Sequence, residues 1–363
     1  MKLTDFDYQL PPERIAQQPL AERDASRMLV LDRATGRMED RQFREFPGML
    51  RGDELLVFNN ARVVPARLFG RRVGLRAEKP GAHNPARREF LQAEIEVLLV
   101  RQLAADTWET LVKPGRKVPV GERIIFGQGE LEARVESRGD YGLRVLRFAW
   151  KNGFEKALNK LGHIPLPPYI KREDTPADRE RYQTVFARAG KAVAAPTAGL
   201  HFTAETLRRL QDRGVEIAEI TLEVGLGTFE PIHEVRVEEH KVHTESYEIS
   251  EAAAAAIERA RQQGRPVLAV GTTVVRALED AAVKQLSRGG AILHGKAEAE
   301  IFLYPGQAFR VVNQLLTNFH LPKSSLLLLV AAFAGRENVL RAYCHAVESG
   351  YRFYSYGDCM LIR

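Results

Sequence analysis

Cysteine is scarce in this 363-residue chain: Cys344 and Cys359 are the only two, and no C-x-x-C pair occurs. A disulfide-stapled scaffold is therefore not expected, and a reducing cytoplasm fits better. Long apolar runs are missing as well. The longest, Leu326–Ala334, falls far short of the roughly 20 residues that cross a bilayer, so no membrane association is expected. The start, Met1-Lys2-Leu3-Thr4-Asp5, has no apolar signal core, which argues against export. There is no G-x-x-x-x-G-K-[ST] loop, no internal repeat and no low-complexity tract. Gly225-Leu226-Gly227 leads into Phe229-Glu230-Pro231 rather than a helix, so it fails as a dinucleotide fingerprint. Two glycines around one residue still permit close approach of backbone to a ligand.

What the chain does have is a series of short polar cassettes beside apolar stretches. Ala192–Ala195 runs into Pro196-Thr197-Ala198-Gly199-Leu200-His201-Phe202, and Ile217–Val224 into Gly225-Leu226-Gly227-Thr228-Phe229. Val267–Val270 runs into Gly271-Thr272-Thr273; Thr317-Asn318-Phe319-His320 and Tyr354-Ser355-Tyr356-Gly357-Asp358 follow. Ligands of α/β sheets sit at strand carboxyl ends, where loops vary over rigid strands. Five such loops predict one composite pocket, and hence an enzyme.

Apolar content of 45% and charged content of 28% are those of an ordinary soluble protein, and the length leaves room for two or three domains. Strand and helix signals alternate from about residue 151, with Thr203 and Ser250 as helix caps. Between about 66 and 150 the texture is short alternating strands punctuated by glycine, which reads as a small barrel or sandwich. The fold class expected is therefore α/β: a mixed, largely parallel main domain (1–65 and 151–363) with an inserted all-β, barrel-like domain (66–150). The net charge is +6, and residues 62–101 alone hold nine basic against four acidic side chains. That suits a polyanion, although a solvated arginine-rich loop, centred on the insert Lys79–Arg88, has the same composition.

Gly271-Thr272-Thr273 opens a helix, and helix N-termini favour anions, with Arg276 one turn on; a plain cap is the bland alternative. His201 and His320 suit acid–base or binding roles. His240, His243 and Glu245 have awkward metal spacing and no obvious third ligand, so no metal is expected. A histidine–Glu245 hydrogen bond is the preferred reading there. Asp358 is a carboxylate in an aromatic setting, where Tyr351, Phe353, Tyr354 and Tyr356 either face a cation or form a core stripe. The charged run Arg23-Asp24-Ala25-Ser26-Arg27 reads as surface ion pairs.

Taken in order, DFDYQLP (5–11), RDASRML (23–29), VFNNARVVPARLFG (57–70), PLPPYI (165–170), RYQTVFA (181–187), AAPTAGLHFT (194–203), VGLGTFEPI (224–232), HKVHTE (240–245), GTTVVRALE (271–279), YPGQAF (304–309), LLTNFHLPKSSLLLLVAAFAG (315–335) and YRFYSYGDCMLI (351–362) resemble the S-adenosylmethionine:tRNA ribosyltransferase-isomerases of queuosine biosynthesis. The chain departs from that pattern at Ala61, Glu223, Val274 and Cys359, where Thr, His, Ser and Ala are common.

The resemblance implies a mixed α/β domain carrying a small β-barrel. It implies transfer of the ribosyl part of S-adenosylmethionine to 7-aminomethyl-7-deazaguanine in the tRNA anticodon, giving epoxyqueuosine, adenine and methionine. No metal or separate cofactor is implied, because the sulfonium donor is consumed; a cytoplasmic monomer is expected. The catalytic candidates are His201, Glu245, His320 and Asp358. The substrate-binding candidates are Arg23, Asp24, Asn59, Asn60, Arg62, Arg67, Thr197, Gly199, Phe202, Gly225, Gly227, Thr228, Phe229, Thr272, Thr273, Arg276, Asn318 and Tyr356. Among them Thr272, Thr273 and Arg276 would hold the methionine carboxylate, Phe202, Phe229 or Tyr356 would stack on adenine, and Arg62 and Arg67 would link pocket to RNA backbone. The alternatives are a tRNA methyltransferase using the same donor and a non-catalytic RNA-binding scaffold; products and ligand-induced stabilisation separate them.

Overall fold

The computed structural model describes residues 1–74, 93–140, 142–225, 232, 234–240, 242–286 and 292–363. The chain divides into two compact units: Met1–Val63 with Pro167–Glu173 and Glu180–Arg363, and Val64–Leu166 with Asp174–Arg179. The strands in chain order are β1 (Arg27–Leu31), β2 (Met38–Gln42), β3 (Leu55–Asn59), β4 (Ala61–Val63), β5 (Arg67–Arg72), β6 (Glu94–Ala104), β7 (Thr107–Lys113), β8 (Arg123–Phe126) and β9 (Leu131–Arg138). They continue with β10 (Leu143–Trp150), β11 (Ala189–Ala192), β12 (Glu216–Leu222), β13 (Glu245–Ile249), β14 (Val267–Val270), β15 (Gly295–Ala299), β16 (Gln314–Asn318) and β17 (Cys359–Ile362).

The first unit is built on a nine-stranded sheet in the order β15-β13-β12-β3-β14-β16-β17-β1-β2. Its centre, β12-β3-β14-β16, is parallel; β13, β15, β17 and β2 enter by antiparallel pairing, and β1 runs parallel to β17. Strands β3 and β14 are nearly continuous apolar runs because both their faces are covered. Alternate residues go to opposite sides: Leu55, Val57, Val267, Ala269 and Leu315 join one core, and Leu56, Phe58, Leu268, Val270 and Leu316 the other. The first core is closed by helices Glu251–Gln262, Thr272–Gln285, Ser325–Ala334 and Arg336–Glu348, the second by Phe43, Phe46, Phe202 and the helix Ala204–Asp212. Two helices start where hydroxyl caps predict: Thr203 Oγ1 accepts from the Thr206 N–H (3.0 Å) and Ser250 Oγ from the Ala253 N–H (3.1 Å).

The topology explains why distant cassettes share one rim. The parallel strands β12, β3, β14 and β16 all finish at the same edge. Strand β17 is antiparallel to β16, with Cys359 opposite Asn318, so the residues before β17 reach that edge too. Met28 of β1 lies opposite Cys359, which brings Ser26 to the same place. The first cassette differs from expectation: Ala189–Ala192 pairs with β4 in a separate two-stranded ladder, and the chain leaves strand geometry before Val193.

In the second unit, β10-β7-β6-β5-β8-β9 closes into an antiparallel barrel. Gly70 is required on β5, since a Cβ there would sit 2.7 Å from Phe126 Cδ1. The helix Phe154–Leu161 packs here through Phe154, 5.8 Å from Trp108 and 5.4 Å from Phe148 (ring centroids). No described helix is long and apolar enough to cross a membrane.

Candidate active site

Four of the five cassettes meet around one cavity of about 220 Å³. Pro196, Thr197 and Ala198 come from the first, Gly271, Thr272 and Thr273 from the start of their helix, Thr317, Asn318 and His320 from the end of β16, and Tyr354 and Ser355 from the turn before β17. The second cassette contributes its shoulder, Val224; Gly227, Thr228 and Phe229 lie outside the described residues. Leu3, Tyr169, Ile232, Leu321 and Leu326 supply apolar wall. Gly271 carries the chain from β14 into the helix at φ 99°, a conformation open to glycine and costly for other residues.

Two polar atoms on this wall are buried without a hydrogen-bond partner among the described residues, Thr273 Oγ1 and Tyr354 Oη, while the Asn318 side chain faces the His201 ring. Most buried polar groups in folded proteins are satisfied, so such orphans demand a reason. Tyr354 is also strained, with φ 72°. It is held there by its N–H on the Phe319 carbonyl (3.3 Å), by Asn318 Nδ2 donating to its carbonyl (2.9 Å) and by stacking on Tyr169 (4.2 Å). Burial raises its phenol pKa, so it remains a neutral donor.

Both candidate histidines are buried and neutral. Burial pushes His320 down to about 3. Its Nε2 lies 2.9 Å from Thr317 Oγ1, its N–H donates to the Tyr343 hydroxyl (3.1 Å), and its carbonyl accepts from the Tyr8 phenol. Burial pushes His201 down to about 4; the nearby Asn318 side chain opposes the shift, and Arg23 and Arg352 add to it. His201 Nδ1 meets Ser26 Oγ at 2.7 Å. This ring lines not the main cavity but a neighbouring recess with Arg23, Arg181, Ser355 and Tyr356.

A smaller hollow of about 50 Å³ shares Thr272, Thr273 and Leu326 with the main cavity and adds His240, His243, Glu245 and Arg276. Glu245 is engaged by Arg276 at 2.6 Å and by the Gly225 N–H at 3.3 Å. The Arg276 guanidinium also donates to the carbonyls of Ala299, Ile301 and His243. Its charge is thus directed at Glu245 and the β15 end. His240 pairs with Glu234 (2.8 Å).

The remaining candidates lie elsewhere. Asp358 is buried away from the cavity, its two oxygens accepting the N–H groups of Arg27 and Arg352 (both 2.8 Å); burial raises its pKa while those bonds resist the rise. Asn59 ties β3 to Leu222, and Asn60 bonds Glu219 and Thr221. Phe202 is enclosed by Phe43, Phe46, Phe58 and Phe186, which leaves it no open face. Gly199 packs so closely that a Cβ would fall 2.6 Å from Phe186 Cζ. Arg23 donates to the Leu200 and Glu180 carbonyls, and Asp24 sits in the same turn, Arg23–Ala25. Arg62 is exposed on β4, whereas Arg67, in the barrel, faces Glu96 at 3.2 Å and donates to the Leu166 carbonyl. Arg71 and Arg72 border an open recess on the barrel; Arg76, Lys79, Arg87 and Arg88 lie outside the described residues. Ser26, beside His201, and Tyr169, on the cavity wall, are the site residues that sequence reasoning passed over. Among the described residues no group of three or more His, Cys, Asp or Glu side chains is placed to hold a metal ion.

An α/β sheet whose polar loops ring one apolar cavity, in a chain that also carries a closed barrel, defines an α/β enzyme with an all-β insertion. The family model described as "Queuosine biosynthesis protein" matches residues 3–362, and the chain belongs to that family. It is 55% identical to an S-adenosylmethionine:tRNA ribosyltransferase-isomerase of Solibacter usitatus, with all of both chains covered. It is 51% identical to the protein of that name from Moorella thermoacetica, again over the whole of both. A crystal structure of an S-adenosylmethionine tRNA ribosyltransferase from Thermotoga maritima matches 99% of this chain and all of its own, with 35% identity and a TM-score of 0.53.

Proposed function

We propose that this chain moves the ribosyl part of S-adenosylmethionine onto 7-aminomethyl-7-deazaguanine at the wobble position of a tRNA. The transferred sugar is isomerised to give epoxyqueuosine, and adenine and methionine are released. Family membership and full-length identity to ribosyltransferase-isomerases support the reaction. The observation that carries the assignment to this cavity is the pair of unpartnered hydroxyls, on Thr273 and Tyr354, around a largely apolar space beside a neutral imidazole.

The chemistry suits such a place. A sulfonium acidifies its neighbouring 5′-carbon, so a modest base removes that proton. The deazaguanine amine replaces adenine at C1′, passing its proton to the departing base, and the C1′–O4′ bond opens to leave an iminium at C1′ and an oxyanion on C4′. The C5′ carbanion closes onto C1′, and the oxyanion then displaces methionine from C5′ to form the epoxide. An apolar wall withholds water from the intermediate, and the neutral faces of Tyr169 and Tyr354 suit the cationic donor. His320 is the group we assign to move the proton. The target nucleoside must leave the anticodon stack to enter. No separate cofactor is needed in this reading, and the working form is a cytoplasmic monomer.

Incubation with S-adenosylmethionine and an anticodon stem-loop bearing the deazaguanine tests it. Equimolar adenine and methionine with a mass gain on the RNA is the expected result. Adenosylhomocysteine with methylated RNA would overturn it in favour of a methyltransferase.

A further inference from the structure

His320 lines the cavity with one ring nitrogen already committed: Nε2 is 2.9 Å from Thr317 Oγ1. A neutral imidazole is a donor at one nitrogen and an acceptor at the other, so whatever Thr317 demands of Nε2 decides what Nδ1 offers. The Thr317 hydroxyl has a single hydrogen, and the Asn318 carbonyl, 3.3 Å away, is an acceptor for it. With the hydrogen on that carbonyl, the oxygen meets Nε2 with a lone pair, and Nε2 carries the ring proton. Nδ1 is left as an acceptor, since the hydrogen bonds of His320 among the described residues run through Nε2 and its backbone. The backbone around the ring is clamped at both polar groups, by the Tyr343 hydroxyl on its N–H and the Tyr8 phenol on its carbonyl. Thr317 itself is fixed as a buried residue of β16.

We propose that Thr317 is a positioning residue that locks His320 in the Nε2–H tautomer, presenting the Nδ1 lone pair to the ligand. Nothing in the reaction scheme requires this particular hydroxyl; it follows from the hydrogen-bond inventory at the end of β16. The tautomer stands independently of turnover, and its use as a base rests on the function proposed above. Because the Thr317 hydroxyl fixes ring orientation as well as protonation, its loss should lower turnover more than substrate affinity.

The test uses the full chain with 15N-labelled histidine, His320 being assigned by its disappearance in His320→Gln. The wild type should show a neutral ring protonated at Nε2, unchanged from about pH 5 to 9. Thr317→Ser should keep that pattern, and Thr317→Val, close in shape but without the hydroxyl, should give a mixture of tautomers. Turnover should fall about ten-fold or more in Thr317→Val with KM nearly unchanged, and recover in Thr317→Ser. Protonation at Nδ1 in the wild type, or a Thr317→Val spectrum identical to wild type, would overturn the proposal. The proposed tautomer together with full turnover in His320→Gln would instead overturn His320 as the base, leaving the tautomer assignment intact.

Discussion

The two halves of one helix, Thr272–Gln285, treat buried polar groups in opposite ways. In its second half, Glu279 is fully buried and accepts three backbone N–H groups, from Arg310, Val311 and Val312, at 2.6 to 3.0 Å. Its neighbour Asp280 accepts the Tyr247 hydroxyl and the N–H groups of Glu300 and Ile301. In the first turn, Thr273 Oγ1 is buried with no partner among the described residues. Burial alone therefore does not mark function. Glu279 and Asp280 hold the chain's own loops, whereas the first turn, with Tyr354 across the cavity, keeps capacity that the fold leaves unused.

That contrast breaks first at His320 and Glu279. His320→Gln should cut turnover by about 10²- to 10⁴-fold while leaving a folded protein by circular dichroism; an active variant would put the proton transfer elsewhere. Glu279→Ala should do the reverse. It strands three N–H groups, two of them buried, each buried one costing about 1 kcal/mol or more, so urea unfolding should show a loss of about 2 kcal/mol or more, with per-molecule turnover kept in whatever folds.

The pH dependence sharpens the same comparison. The folded values of His201 and His320, about 4 and about 3, lie below the ordinary imidazole value of 6.5. Their unfolded forms therefore bind protons that the native forms refuse. Stability is intact above about pH 6.5 and falls as the pH drops toward 4, by up to about 1.4 kcal/mol per pH unit for each ring. Denaturation at pH 7 and pH 5 should show that slope, and His201→Gln with His320→Gln should flatten it. A wild type equally stable at both would mean the rings are not held neutral. The smallest effect concerns the barrel. Arg71 and Arg72 border its open recess, and replacing both with Gln should lower the steepness of the salt dependence of tRNA binding by about one to two. An unchanged slope would place the RNA footprint elsewhere.

Much of this was legible in the chain because local grammar wrote it. Thr203 and Ser250 cap helices through hydroxyls three residues from their targets, and the strand–Gly271–helix turn is read from its own neighbours. The alternating texture after Arg67 announced the barrel, which closes as an antiparallel ring. Pairings set by tertiary distance were not legible. Ser26, dismissed within a charged run, meets His201 from 175 positions away. Arg276, read as an anion holder, is matched to Glu245, 31 positions before it. Phe202 and Asp358 have the residue types of a site, yet the packing of four rings and two backbone N–H groups occupies them. Val274, where a serine is common in the family pattern, faces the apolar core and has no route to a ligand. Sequence spacing shows which groups are present, and only the fold shows which of them already have partners.

The claim that the two orphaned hydroxyls await a ligand is tested most directly by thermal unfolding with and without S-adenosylmethionine, for the wild type and for Thr273→Val with Tyr354→Phe. The wild type should melt higher with the ligand. The variant should melt no lower than wild type without ligand, since neither hydroxyl it loses has a partner among the described residues, and should gain little or nothing on ligand addition. A variant that keeps the full ligand-induced rise would contradict the account.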